Sequence, residues 1–431
     1  MDVLWLAQLI YVNAKRLFPR PGKKRNIIKM DQGWNVLQLL FNRRSSYPRS
    51  VEELKKRARA IRKDNWDWLQ EVGSNLDNSP EVSSDDDSGD DDDDDDDDDD
   101  HDGGEGSLAD ISDRKILDDY RLCRTAIYEL YQEIRHDIDP STARSHAVPG
   151  LLKLLTILQF FATGTFQHVL RGNSGVDQAT VSRHLSQVLR ALKKCVRKYI
   201  AFPTGEEEWR RIKMDFYKIA GMPSVLGAID CTHVAFTPPA AEEMQYRNRK
   251  MGYSLNVQAV CDAHLRILDV VTRFPGSCHD SYILSNSALG KKFAEGKIGN
   301  GLLLGDAGNG CRTWLLTPLA MPRSDAEKHY NEAHISTRCT IEHTFGVLKS
   351  RFRCLHISGG SLQYSPEKVA DIVLVCCMLH KIALNHHLDI EIVVPPEVDI
   401  TPSDKGSDVS RGSAVRKQVI QTFFSKPRQP L

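Results

Sequence analysis

The sequence has no CxxC pair and no apolar run long enough to cross a bilayer. Its ten cysteines are spread from Cys123 to Cys377, which is no disulfide framework in a chain of 431 residues. A reduced, intracellular protein is expected. Cys339, His343, Cys354 and His356 fit no zinc spacing and read as packing residues. Val3–Val12 is apolar but lacks a basic start and a small-residue cleavage site, so neither a signal peptide nor a membrane contact is expected.

The chain also has almost no formal net charge, at −1, and that balance conceals a division. Asp85–Asp87, Asp90–Asp100 and Asp102 hold 15 of the 58 acidic residues. Setting them aside leaves 43 acids against 57 lysines and arginines, a surplus of 14 positive charges. Such a basic body points to a polyanionic partner.

What is present divides the chain into five expected segments. Residues 1–72 form a basic arm with 16 Lys or Arg against 7 acids; Trp34, Leu37, Leu40 and Phe41 at helical spacing suggest a Myb-like fragment. Lys23-Lys-Arg25 and Lys55-Lys-Arg-Ala-Arg59 offer nuclear import signals, so a nuclear protein, also found in the cytoplasm, is expected. Residues 73–107 are too charged and too poor in apolar groups to fold, and read as a disordered acidic linker. Residues 112–202 carry helical periodicity over Leu117–Ile134, Leu151–Phe161 and Gln178–Tyr199.

Within that helical segment, Thr165–Leu170, a turn containing Gly172 and Gly175, and a helix opening at Gln178 follow the helix-turn-helix plan. Gln178, Thr180, Ser182 and Arg183 are the candidate DNA-contacting residues, with Arg190, Lys193, Lys194, Arg197 and Lys198 further along. Generic three-helix packing explains the spacing as well. Residues 221–385 change to strands at Val225–Phe236, Ser254–Asp262, Arg266–Phe274 and Gly301–Asp306, with helices at His279–Glu295, Ser336–Phe352 and Pro366–Leu384. That order predicts an α/β, ribonuclease H-like domain. The tail, 395–431, is polar and mostly disordered by expectation, apart from an amphipathic stretch at Val415–Phe424.

Three acids stand inside or beside elements expected to be buried. Asp230 lies mid-strand, Asp306 ends the run Leu302-Leu-Leu-Gly305, and Glu342 borders the apolar stripe Ile341, Phe345, Leu348 and Phe352. A buried carboxylate is costly unless paired, protonated or bound to a cation. The set suggests a two-metal phosphodiester site using Mg²⁺ or Mn²⁺, which prefer oxygen ligands. Singly, each has a plainer account. Asp230 can be a hydrogen-bonded structural acid, Asp306 a turn residue, and Glu342 an i, i+4 partner of Arg338. Asp280 ends Ser277-Cys-His-Asp280, which has the form of a capping box. Lys349 lies near Glu342 and is a candidate phosphate contact.

Gly227-Ala-Ile-Asp-Cys-Thr-His-Val234, Tyr246-Arg-Asn-Arg-Lys250, Pro275-Gly-Ser-Cys-His-Asp280, Leu303-Leu-Gly-Asp306 and Ile341-Glu-His-Thr-Phe-Gly346 together resemble the Harbinger (PIF) transposase family. The likeness runs from about Asp118 to Leu384 and leaves residues 1–107 outside, with Met30 as an alternative start. It implies a DDE-type nuclease domain whose divalent metal is held at positions matching Asp230, Asp280, Asp306 and Glu342. Asp230, Asp306 and Glu342 are then the catalytic acids, and Arg247, Arg249 and Lys250 become DNA-contact candidates. The resemblance further implies a separate Myb-like partner protein, and a domesticated copy that mobilises nothing. The alternative is a non-catalytic, domesticated DNA-binding or adaptor protein.

Overall fold

The computed structural model describes residues 111–140, 148–164, 178–390 and 410–425. The basic arm, the acidic linker and the first helix and turn of the expected helix-turn-helix lie outside the described residues, as do the DNA-contact side chain of Gln178 and most of the tail.

The helical part comprises α1 (Asp113–Tyr120), α2 (Arg124–Ile138), α3 (Gly150–Thr163) and α4 (Gln178–Tyr199). Periodicity predicts one helix over Leu117–Ile134, but two form, because Arg121 takes a left-handed φ of 61° and ends the first. Cys123 then restarts the chain as an extended N-cap. Helix α5 (Glu206–Ala220), unassigned in the sequence, opens with Glu206, Glu207 and Glu208 where the helix dipole favours acids and ends on Gly221 at φ 78°.

A mixed α/β domain follows. Strands β1 (Val225–Ala235), β2 (Ser254–Cys261), β3 (Ile267–Pro275), β4 (Leu302–Leu304) and β5 (Leu315–Leu316) form one sheet in the order β3-β2-β1-β4-β5. β1 runs antiparallel to β2 and parallel to β4, so it is central and reads apolar on both pleat faces. Gly227 permits this crowding: a Cβ there would lie 2.4 Å from Val260 Cγ1.

Between β1 and β2 lies the one-turn α6 (Glu243–Tyr246). After β3 come α7 (Asp280–Asn286) and α8 (Ala288–Ala294), where a single helix over His279–Glu295 is expected. Ser287 breaks it by going extended and accepting from the Gly290 N–H through its side chain. Helix α9 (Asp325–Arg351) begins well before the expected Ser336, because Ser324 and Glu327 form a full capping box. Its stripe Ile341, Phe345, Leu348 and Phe352 is buried as expected, and each side chain contributes roughly 1.5–3 kcal/mol through burial. Helix α10 (Pro366–Asn385) packs on β3 and meets α4.

The amphipathic tail stretch gains a place. The π-turn Ile420–Phe424 packs on α9, with the Phe424 and Tyr330 rings edge to face at 5.8 Å, and helix α11 (Ser410–Val419) lies against β5. Arg416 Nη1 donates to Thr317 Oγ1 at 3.0 Å. Gly412 sits so close to the 311–312 loop that a Cβ would meet the Cys311 carbonyl oxygen at 2.5 Å.

Candidate metal centre

The strand order brings distant acids together. Asp230 lies mid-way along central β1, Asp306 follows the neighbouring β4, and Asp280 opens α7 just after β3. Each of the three offers a carboxylate oxygen, and these oxygens all lie within 4.8 Å of one another. Crowding of this kind disfavours full ionisation. Burial, opposed by Arg338 and reinforced by the charges of Asp306 and Asp280, pushes the Asp230 carboxyl up to about 7. Burial and the neighbouring Asp280 also raise Asp306, against hydrogen bonds from Asn309 and the Gly308 N–H.

Glu342 enters through an intermediary. Arg338 donates from Nη1 to Asp230 Oδ2 at 2.7 Å and from Nη2 to Glu342 Oε1 at 2.5 Å. The i, i+4 ion pair read from the sequence therefore forms, and the same guanidinium also reaches the sheet. Burial works against its charge, but Asp230 and Glu342 together hold the Arg338 pKa above its ordinary value.

Asp280 is not part of a capping box. The N-cap of α7 is His279 with no side-chain cap, and Ser277 Oγ instead donates to the Gln245 carbonyl oxygen at 2.6 Å. Gly276 permits that approach, since a Cβ there would lie 2.8 Å from the Tyr246 carbonyl oxygen. The carboxylate of Asp280 is thus left to face the other two acids.

Two buried asparagines went unnoticed in the sequence. Asn256, only 2% exposed, donates from Nδ2 to Asp280 Oδ1 and to the Cys278 carbonyl oxygen, both at 2.9 Å. Asn309, 3% exposed, donates from Nδ2 to Asp306 Oδ1 at 2.7 Å. A signal for Asn256 existed. In β2 the polar Ser254, Asn256 and Gln258 alternate with apolar residues although the whole strand is buried, which marks a polar sheet face under α7. Register confirms the face, pairing Asn256 with His233 and Gln258 with Cys231. His233 Nδ1 meets Ser254 Oγ at 2.9 Å.

The DNA-contact candidates separate. Arg247, Arg249 and Lys250 are exposed in the loop after α6, and Arg249 Nη2 donates to His279 Nδ1 at 2.6 Å, beside Asp280. Lys349 is instead 3% exposed and donates to the His233 carbonyl oxygen at 3.0 Å, so in this structure it braces α9 against β1. On α4, Arg183 donates to Thr180 Oγ1 at 2.7 Å, and Ser182 is half-buried one turn into the helix. Lys193, Lys194 and Lys198 pair with Asp371, Asp137 and Glu133 on adjacent helices, whereas the exposed Arg190 and Arg197 make no ion pair among the described residues.

Residues 229–381 match the protein family described as DDE superfamily endonuclease. The chain is 41% identical over 325 residues to the human protein named "Putative nuclease HARBI1", an alignment covering 74% of this chain and 93% of that protein. The mouse protein of the same name is 38% identical over 323 residues, with the same coverage of 74% and 93%. An Arabidopsis thaliana protein named "Protein ALP1-like" is 29% identical over 249 residues, 54% of this chain and 60% of that one. No solved structure matches the chain.

Proposed function

Because the chain belongs to the Harbinger transposase-derived nucleases and carries a DDE superfamily endonuclease domain, we propose that it cleaves DNA phosphodiester bonds with divalent metal. Asp230, Asp280 and Asp306 would hold the metal, and Glu342 is the fourth acid of the site. The convergence of the first three carboxylates within 4.8 Å carries this reading. An all-oxygen donor set fits Mg²⁺ or Mn²⁺. The raised Asp230 carboxyl has the same meaning, since the cluster holds more negative charge than Arg338 neutralises. The strand order β3-β2-β1-β4-β5 supports a ribonuclease H-like domain.

When bound, a pair of such ions supplies an activated water or 3′-hydroxyl on one side and stabilisation of the leaving oxygen on the other. The chain's own residues prepare the site. Asp230 would hold a cation only in its ionised form, while Asn256 and Asn309 hold the Asp280 and Asp306 carboxylates without cancelling their charge. Arg338 keeps Glu342 one guanidinium away from Asp230. Arg247, Arg249 and Lys250 would draw the phosphate backbone toward Asp280. Gln178, Thr180, Ser182 and Arg183 would read DNA from the helix-turn-helix.

Cleavage without mobilisation, a Myb-like partner protein, and residence in the nucleus and also the cytoplasm belong to the same proposal. They are supported by the family resemblance and by the basic runs near the N-terminus. One observation favours a second reading, that of a non-catalytic DNA-binding or adaptor protein: Arg338 already satisfies both Asp230 and Glu342 by ion pairing. Nicking of DNA in Mg²⁺ or Mn²⁺ decides between them, with Asp306→Asn assayed alongside. Equal activity in the two proteins removes the nuclease reading.

A further inference from the structure

Helix α7, which begins with Asp280, is ringed by three arginines that the metal centre does not use. Arg249 Nη2 contacts the His279 ring at its start, Arg312 Nη2 donates to Ser285 Oγ at 2.8 Å, and Arg273 Nη2 donates to the Asn286 carbonyl oxygen at 3.0 Å at its end. None of the three makes an ion pair among the described residues, although the acidic cluster is the adjoining feature of the surface. On the same helix Tyr282 is 57% exposed, and its hydroxyl has no hydrogen-bond partner among the described residues. Its ring stands edge to face on Phe274 at 6.0 Å and 88°, and the Arg273 guanidinium lies 5.2 Å from the Phe274 centroid.

An exposed aromatic ring held upright by a second ring, inside an arc of unneutralised guanidiniums, matches one ligand chemistry. The arginines suit phosphates, and the ring offers its surface to a flat π-system. In duplex DNA both faces of a base are already stacked on its neighbours. Away from the duplex ends, only a base taken out of the stack presents a free face. We propose that Tyr282, backed by Phe274 and flanked by Arg249, Arg273 and Arg312, is a ledge that stacks an unpaired nucleobase beside Asp280. Substrate would then enter as a locally single-stranded DNA segment or end. Position adds to the argument, since Tyr282 lies two residues after a proposed metal ligand and a base stacked there keeps its own phosphate near the carboxylates.

This proposal rests on the DNA-cleaving reading above and deepens it. The test uses the full chain, in EDTA so that no strand is consumed, with a fluorescently labelled oligothymidylate and a blunt duplex of equal length as probes. Tyr282→Ala should weaken binding of the single strand by about tenfold and leave the duplex unaffected. Tyr282→Trp should restore it. Arg273→Gln should weaken both probes and reduce the salt dependence by about one phosphate contact. A 2-aminopurine in the single strand should lose fluorescence on wild-type protein and keep it on Tyr282→Ala. Because Tyr282 is exposed, its variants should melt as the wild type does. Single-strand binding equal to wild type in Tyr282→Ala, or a loss that Trp does not restore, overturns the ledge. If the wild type still nicks DNA in a manner abolished by Asp306→Asn, only the ledge falls. If the wild type neither binds nor nicks DNA, the nuclease reading falls with it.

Discussion

The two halves of the acidic site are held by opposite means. Asp280 and Asp306 are fixed by neutral amides from Asn256 and Asn309, whereas Asp230 and Glu342 share the guanidinium of Arg338. An amide orients a carboxylate while leaving its charge intact, so that half keeps its demand for an external cation. A guanidinium orients and neutralises together, but its single charge offsets only one of the two acids it grips. Sequence alone sees four acids of one kind. The structure shows a half poised for metal and a half that metal must share with an arginine.

The sharpest break in this comparison is Asp306→Asn, which removes a ligand from the metal-seeking half. Metal-dependent nicking should fall by more than about 100-fold, beyond the loss expected for an outer-shell partner, as measured by conversion of supercoiled plasmid. Next comes the half that shares Arg338. Arg338→Gln strips the partner from two partly buried acids and should cost about 3 kcal/mol in denaturant unfolding with EDTA present. Mg²⁺ should return much of that loss by binding the folded state. A variant equally stable with and without metal would show that the acids do not communicate with a cation site.

A smaller effect is expected from the amides. Asn256→Ala and Asn309→Ala should each weaken Mn²⁺ binding by about tenfold with folding intact, read from the paramagnetic signal of free Mn²⁺. The mildest test is pH. Asp230 titrates at about 7, so below that value a proton competes with the cation, and apparent Mg²⁺ affinity should fall by up to about tenfold per pH unit. Above pH 8 it should level off. The sign reverses for the metal-free fold. A carboxyl raised above its unfolded value of about 4 adds stability that is fully present below that pH. This contribution is lost as pH rises through about 7. Asp230→Asn should abolish the pH dependence of metal affinity in that window.

Much of this was legible in advance, for reasons that differ by residue. Asp230 was readable because an acid in the middle of Val225–Phe236 contradicts its neighbours, and the β2–β3 hairpin because two strand-like runs, Ser254–Asp262 and Arg266–Phe274, stand only a tight turn apart. The convergence of Asp230, Asp280 and Asp306 depends on strand order, which spacing implied only through the order of elements. Other features were written in the chain but outweighed. Ser324 and Glu327 spelled the true start of α9, yet the apolar stripe that draws the eye begins more than two turns later. Ser277-Cys-His-Asp280 spelled a cap that does not form, because Ser277 is taken by the Gln245 carbonyl oxygen of α6. Asn309 as a holder of Asp306 needed the three-dimensional turn. So did the double grip of Arg338, whose second partner lies 108 residues away in sequence.

The docking of helix Ser410–Val419 has a practical corollary. Residues 229–381 match the endonuclease family, but the wall behind the N-terminal half of α9 is supplied by a stretch beyond that match. Arg416 ties it to Thr317, and Gly412 fits where no larger residue would. An expression fragment ending just after α10 would strip the cover from Tyr330 and loosen the scaffold that aims Arg338. Inactivity in such a fragment would then report a missing buttress rather than missing chemistry.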